Sequence, residues 1–272
     1  MAESLVPSFD GTPIWFTDSG GDGPPVILIH GATMTFATNF QSRYGPTHDG
    51  GVGLVEGSTI ASRFREEGGR VIGIDLRGHG RSGRSPDPGR YRGDAYARDV
   101  IAVADTLGLA QFDVVGYSMG AMTAARLLGI EPRLHSAVLA GTGPLHIAGV
   151  PTDLYERLSI VGHCFQAGNG SEHPNAKAYR AFARLDPVHD FASIGAALIA
   201  LEPVPRERLA DATVPVMVIN GGDDDPEDVE PLAAMIPGAV GVVAGDGDHG
   251  TACSDDAFQI AVVGFVTRQW ES

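Results

Sequence analysis

Cysteine is scarce in this chain: two in 272 residues, Cys164 and Cys253, far apart and in no Cys-x-x-Cys pair. That scarcity argues against a disulfide framework or a thiolate zinc site and favours free thiols in a reducing compartment. The N-terminal stretch "MAESLVPSFDGTPIWF" lacks a basic segment leading into an apolar one, and no apolar run is long enough to span a bilayer. A secretory leader and a membrane anchor are therefore not expected, and the cytoplasm is the expected location. Positive charge is short too, with 19 Lys and Arg against 34 Asp and Glu, a formal net charge of −15. Nucleic acid and anionic membranes both demand a basic surface, so neither is an expected partner. Rossmann-type dinucleotide binding, a P-loop lysine and the His-Glu-x-x-His metal spacing find no support, and no cofactor or metal is expected.

What is present is an ordinary globular composition, 43% hydrophobic and 19% charged, long enough for one α/β domain with a small insertion. "SLVPSF" and "PIWFTDSG" flank Asp10-Gly11, a pair that readily supplies positive φ, and read as a hairpin. Short apolar runs then recur: "VILIHG", "RVIGIDLRG", "FDVVGYS", "HSAVLAGT", "VPVMVINGG" and the glycine-diluted "AVGVVAGDGDHG". Such runs suit strands buried on both faces. Between them, Tyr96, Val100, Val103, Ala104 and Leu107 form one helical stripe, and "SMGAMTAARLLGI" and "DDAFQIAVVGFVTRQW" also read as helices. Alternating strands and helices predict an α/β fold with a mostly parallel sheet covered on both sides. Two stretches break the rhythm. Residues 33–58 form a long connection with little periodicity, of a length usually either functional or disordered. Residues 144–212 hold helical patches and no strand, which predicts a helical lid inserted into a core of residues 1–143 and 213–272.

The chemistry centres on "FDVVGYSMGAMTAARLL". With 37 glycines in the chain, Gly116-x-Ser118-x-Gly120 alone carries little weight. Its flanks add to it, because a strand-like run enters and a helix-like run leaves at Ser118, the setting of a nucleophile elbow. Gly116 and Gly120 keep the reversal free of Cβ atoms, and the Met119 N–H at the helix start can stabilise an oxyanion. A serine hydroxyl also needs a base, an orienting acid and a second oxyanion donor. "VILIHGA" offers the Ala32 N–H as that donor. His249 lies between the last strand and the last helix and is the candidate base. The acid should follow "VPVMVIN", where Asp223, Asp224 and Asp225 all qualify.

"VILIHG", "IDLRGHGRS", "VVGYSMG", "VMVINGGDDD" and the terminal "GDGDHG" occur in the order in which their counterparts occur in α/β-hydrolase-fold serine hydrolases. The chain resembles that family, esterase- or lactonase-like and with a helical lid, across essentially its whole core. In the family the acid stands three residues past the glycine that ends the strand. The resemblance thus implies Asp224 counting from Gly221, or Asp225 counting from Gly222, and the Asn-Gly-x-Asp-Asp form favours Asp224. It also implies that Asp75, Arg77, His79 and Ser82 of "DLRGHGRS" are structural. Ester or lactone hydrolysis of a small molecule through an acyl-enzyme is the expected activity. Carbon–carbon bond hydrolysis, perhydrolysis, and amide or thioester cleavage use the same constellation, and a ligand-binding receptor on the same scaffold is the non-enzymatic alternative. An aspartate at the elbow would have indicated a dehalogenase or epoxide hydrolase, and position 118 is serine. Asp186, His189 and Asp190 are read as helix-capping rather than substrate contacts. The apolar residues Leu154, Leu158, Ile160, Phe165, Phe182, Phe191, Leu198 and Ile199 are read mostly as lid packing.

Overall fold

In a computed structural model, described over residues 1–46, 52–168, 173–183 and 188–271, the apolar runs lie side by side as strands. In chain order the elements are β1 (Ala2–Pro7), β2 (Pro13–Asp18), β3 (Pro25–Ile29), β4 (Tyr44–Pro46), β5 (Val52–Leu54), α1 (Ile60–Glu66), β6 (Arg70–Ile74) and α2 (Ala95–Thr106). There follow β7 (Phe112–Tyr117), α3 (Met119–Leu127), β8 (Leu134–Ala140), α4 (Leu154–Gln166), α5 (Pro174–Ala183) and α6 (Phe191–Ala200). The chain finishes with α7 (Arg206–Ala210), β9 (Val216–Asn220), α8 (Val229–Ala233), β10 (Val240–Val243) and α9 (Asp256–Gln269).

The main sheet has eight strands in the order β1-β2-β6-β3-β7-β8-β9-β10. The β1–β2 hairpin is antiparallel and turns through Gly11 at φ 80°. β2 runs antiparallel to β6, and from β6 to β10 every pairing is parallel. Alternation along β6, β3, β7, β8 and β9 splits the core in two, whereas β10, expected from its apolar run to be buried, is an edge strand with Val240 46% and Val243 50% exposed. Ile27, Ile29, Val114, Ala137, Leu139 and Val218 face one apolar layer with α2 and α3. Val26, Leu28, Val115, Tyr117, Val138 and Ile219 face the other, against Phe64 of α1 and Phe258, Val262 and Val266 of α9. Burial on both faces explains why these strands read as unbroken apolar runs. β3 pairs with β6 on one side and with β7 on the other, so the chain crosses over at β3. The carboxyl ends of strands beside such a crossover form a crevice.

Residues 33–58 are more ordered than their sparse periodicity predicts. They contain a five-residue π-helix, Ala37–Gln41, and the antiparallel pair β4–β5; residues 47–51 lie outside the described part. Arg43 pins the stretch to α9 through two hydrogen bonds to Asp256 at 2.8 and 2.9 Å. Helix α1 also lacked a clear sequence signature. Its Thr59/Ser62 capping box compensates for a run of only seven residues. Between residues 144 and 212, α4, α5 and α6 gather Leu158, Val161, Phe165, Ala176, Ala183, Ile194 and Leu198 into a small apolar core of their own. Helices α4 and α6 cross closely at two glycines: a Cβ on Gly162 would lie 2.5 Å from the Gly195 carbonyl oxygen. No helix among the described residues is long and apolar enough to cross a membrane.

Candidate active site

The end of β7 drives the local geometry. Ser118 takes φ 55° and ψ −115°, a conformation an L-residue adopts at a cost on the order of 1–3 kcal/mol. Tight packing enforces it. A Cβ on Gly116 would sit 2.2 Å from the Gly120 carbonyl oxygen, and one on Gly120 would sit 1.9 Å from that of Ile29. The Ser118 N–H donates to the Ala140 carbonyl at 2.8 Å, which ties the turn to β8. Met119 is the first residue of α3, so its N–H has no acceptor within the helix.

The end of β3 approaches the same point. Asn39 and His30 hold Gly31 from both sides: the Gly31 N–H donates to Asn39 Oδ1 at 2.9 Å, and His30 Nδ1 lies 2.7 Å from the Gly31 carbonyl oxygen. The Leu76 N–H donates to His30 Nε2 at 2.9 Å, which leaves the His30 proton on Nδ1 to reach that carbonyl. Peptide planarity then sends the Ala32 N–H away from His30. Gly31, Ala32 and Ser118 line one cavity, and a Cβ on Gly31 would lie 3.2 Å from the Ser118 Cβ.

His249, in the loop after β10, places Nε2 3.0 Å from Ser118 Oγ and Nδ1 2.9 Å from Asp224 Oδ1. The carboxylate can only accept, so Nδ1 carries the proton and Nε2 presents its lone pair to the serine hydroxyl. Of the three neighbouring aspartates, Asp224 is buried at 5% exposure and meets the imidazole, whereas Asp223 and Asp225 are exposed. Asp225 adopts the left-handed conformation at φ 43°. Asp248 turns back onto its own loop, accepting from the Gly250 N–H at 3.0 Å. Desolvation in the crevice lowers the proton affinity of His249. The hydrogen bond and charge of Asp224, with the charges of Asp225 and Asp248, outweigh it and raise the imidazole pKa above its ordinary value.

Tyr117, one residue before the serine, was not singled out in the sequence. Its hydroxyl lies 3.1 Å from Asp224 Oδ2 and 2.8 Å from the His249 carbonyl oxygen, so it ties the loops of Asp224 and His249 together. Alternation along β7 carried the signal, since it sends residue 117 to the face shared with α9. The cavity at Ser118 has a volume of about 180 Å³, and Met34, Asn39, Tyr179 and Cys253 also line it. Tyr179 comes from α5. The described apolar residues named in the sequence from α4 and α6 lie elsewhere: Leu158, Phe165 and Leu198 in the core shared by α4, α5 and α6, Leu154 and Phe191 against it, Ile199 half-buried on α6, and Ile160 42% exposed. Phe182 and Asp186 fall outside what is described of side chains.

Asp75, Arg77, His79 and Ser82 are all at most 3% exposed. Asp75 accepts from the Phe36 and Arg81 N–H groups, both at 3.0 Å, and Ser82 Oγ accepts from the Trp15 N–H at 2.8 Å. Arg77 pairs with Asp99 at 2.6 Å and Asp10 at 3.1 Å. Burial, then the neighbouring His30 and His189, holds the His79 pKa well below the usual imidazole range. Asp190 caps α6, accepting from the Ala192 and Ser193 N–H groups at 3.3 and 3.1 Å, while His189 Nδ1 accepts from the Gly80 N–H at 3.3 Å. The bare spacing Gly-x-Gly-x-x-Gly does occur, at 78–83 and 245–250. Neither stretch runs directly into an α-helix, as a dinucleotide site requires.

A family model described as the alpha/beta hydrolase fold matches residues 24–188. The chain is 28% identical over 236 residues to a 2-hydroxy-6-oxononadienedioate/2-hydroxy-6-oxononatrienedioate hydrolase of Burkholderia vietnamiensis, covering 79% of this chain and 76% of that protein. An esterase from Exiguobacterium antarcticum superposes with a TM-score of 0.71 at 21% identity, covering 100% of both chains. The enol-lactonase from Burkholderia xenovorans LB400 does so with a TM-score of 0.71 at 18% identity, over 99% of this chain and 100% of that one. At those identities the two structures speak to fold alone.

Proposed function

Since this chain belongs to the α/β-hydrolase family and is a hydrolase of that superfamily, we propose that it cleaves a small-molecule carboxylic ester or lactone through an acyl-enzyme on Ser118. The observation that carries this reading is the unbroken relay from Ser118 Oγ to His249 Nε2 at 3.0 Å and from His249 Nδ1 to Asp224 Oδ1 at 2.9 Å. His249 takes the hydroxyl proton as Oγ attacks the carbonyl carbon, and Asp224 holds the ring in the tautomer that can accept it. The tetrahedral oxyanion is met by the Ala32 and Met119 N–H groups, and collapse expels the alcohol, which takes its proton from His249. Water, deprotonated by the same imidazole, then releases the acid.

The relative from Burkholderia vietnamiensis, matched over 79% of the chain, favours a second reading, carbon–carbon bond hydrolysis by the same residues. One panel separates the two. Purified protein is labelled with a fluorophosphonate probe and assayed on esters, lactones and a 2-hydroxy-6-oxo dienoate. Labelling at Ser118 with ester or lactone turnover is expected, and Ser118→Ala should lower kcat about 10⁴-fold or more while the protein stays folded. Turnover retained in Ser118→Ala would overturn the assignment; turnover of the dienoate alone would replace it with the second reading.

A further inference from the structure

The residues between β3 and α1 do more than connect them. Thr33, directly after Ala32, is 2% exposed and sits at φ 63°, a left-handed conformation that β-branched residues resist. Such a backbone persists only where its surroundings over-determine it. Part of the restraint is local, because the Met34 N–H closes a turn onto the Gly31 carbonyl at 3.3 Å. Asn39 holds the residue two before Thr33: it is 5% exposed in the middle of the π-helix Ala37–Gln41, a widened turn of a kind frequent at functional sites, and accepts from the Gly31 N–H.

The Asn39 amide can be oriented in one way only. The Gly31 N–H is a donor, so the atom 2.9 Å away is Oδ1, and Nδ2 is left to donate to Cys253 Sγ at 3.3 Å. Cys253 is 8% exposed, four residues past His249, and lines the cavity together with Asn39, Gly31 and Ser118. Burial keeps its thiol far above the ordinary pKa, so it stays protonated and offers only a soft acceptor. One side chain therefore bridges the loop after β3 and the loop after β10, with its firmer bond on the residue before Ala32.

We propose that Asn39 is a positioning residue for the oxyanion side of the site: by clamping Gly31 against the His249 loop through Cys253, it holds the Ala32 N–H where the tetrahedral intermediate needs it. This rests on the acyl-enzyme reading above. Asn39 touches no reacting atom, and its effect is felt in the transition state more than in ground-state binding.

The test uses the full chain with Asn39→Ala, the isosteric Asn39→Asp, Cys253→Ala and the Asn39→Ala/Cys253→Ala double variant. Each is assayed on an ester the wild type turns over, and each is titrated with a boronic acid, which forms a tetrahedral anionic adduct on the serine. Asn39→Ala should lower kcat about 10- to 100-fold with KM within about threefold, and boronate affinity should fall in parallel. Asn39→Asp keeps the acceptor and the volume but sets a negative charge beside the oxyanion, so its kcat should fall at least as far. Cys253→Ala should cost about two- to fivefold alone and nothing further on top of Asn39→Ala. Wild-type kcat in either folded Asn39 variant overturns the proposal, as does a loss of kcat without loss of boronate affinity. Turnover surviving in Ser118→Ala would instead strike at the acyl-enzyme reading, so the two failures are distinct.

Discussion

Asp75, Arg77, His79 and Ser82 lie within one loop, whereas Ser118, Asp224 and His249 come from three separate ones, yet both sets combine hydroxyl, imidazole and carboxylate. They differ in where their hydrogen bonds end. In the first, Asp75 and Ser82 close on backbone groups and Arg77 on the buried Asp99 and half-buried Asp10 carboxylates, with Asp75, Arg77, His79 and Ser82 each at most 3% exposed. In the second, the relay runs outward from buried Asp224 to a His249 side chain 57% exposed, then to a serine on a cavity wall. A closed network stabilises the fold because Asp75, Arg77 and Ser82 spend their bonds on the protein itself, and the unpaired His79 Nε2 is buried out of reach of a ligand. An open one leaves a lone pair and a hydroxyl for substrate. Residue type cannot distinguish the two, and accessibility does.

Substitutions on the two sides should therefore fail differently. The largest effect is expected for Asp224→Asn, which should lower kcat by about 10³- to 10⁴-fold through loss of the productive tautomer. Asp223→Asn and Asp225→Asn serve as its matched controls and should stay within about threefold. Steady-state kinetics on all three decides which carboxylate serves the histidine.

The same variant carries a pH signature. Asp224 raises the His249 pKa, so wild-type kcat/KM should fall on the acid side as pH drops through a value above the ordinary imidazole pKa. Removing the carboxylate should move that limb to lower pH, readable from residual turnover or by NMR titration of the ring. An unmoved limb would mean that another group governs it.

Arg77→Ala breaks the other side of the comparison. It strands the Asp99 carboxylate, fully buried in α2, and should cost about 3–5 kcal/mol in denaturant unfolding, while kcat of the protein that remains folded stays within a few-fold. A large loss of kcat at unchanged stability would move Arg77 from the scaffold to the site. The smallest effect is expected for Tyr117→Phe, which deletes the hydroxyl spanning Asp224 and the His249 carbonyl. A fall in kcat of about three- to tenfold is expected, worth about 1 kcal/mol for one hydrogen bond. An unchanged rate would show that the two loops hold their register without it.

Much of this was legible in the linear chain. Strand and helix positions followed from apolar runs and 3.6-residue spacing, and Gly116-x-Ser118-x-Gly120 marked the elbow, because a turn packed that tightly admits no Cβ. The ends of β3, β7, β9 and β10 were each recognisable as loops bearing polar candidates. Residues 33–58 were harder to read. A π-helix has no distinctive period, and an asparagine serving two distant loops looks like any other polar residue. Helices α7 and α8, five residues each, are too short to show a face.

Local order, then, was written along the chain, because backbone sterics and apolar periodicity act over a few residues at a time. Which groups meet was decided only on closure of the sheet. Asp224 differs from its two neighbours by being turned inward onto His249, and Asn39 acquires a role by lying between Gly31 and Cys253. Those contacts span 25 residues in the first case and 214 in the longest of the second. Over such separations the parallel stacking of β3, β7, β9 and β10 sets the distances, by delivering their carboxyl ends to one edge.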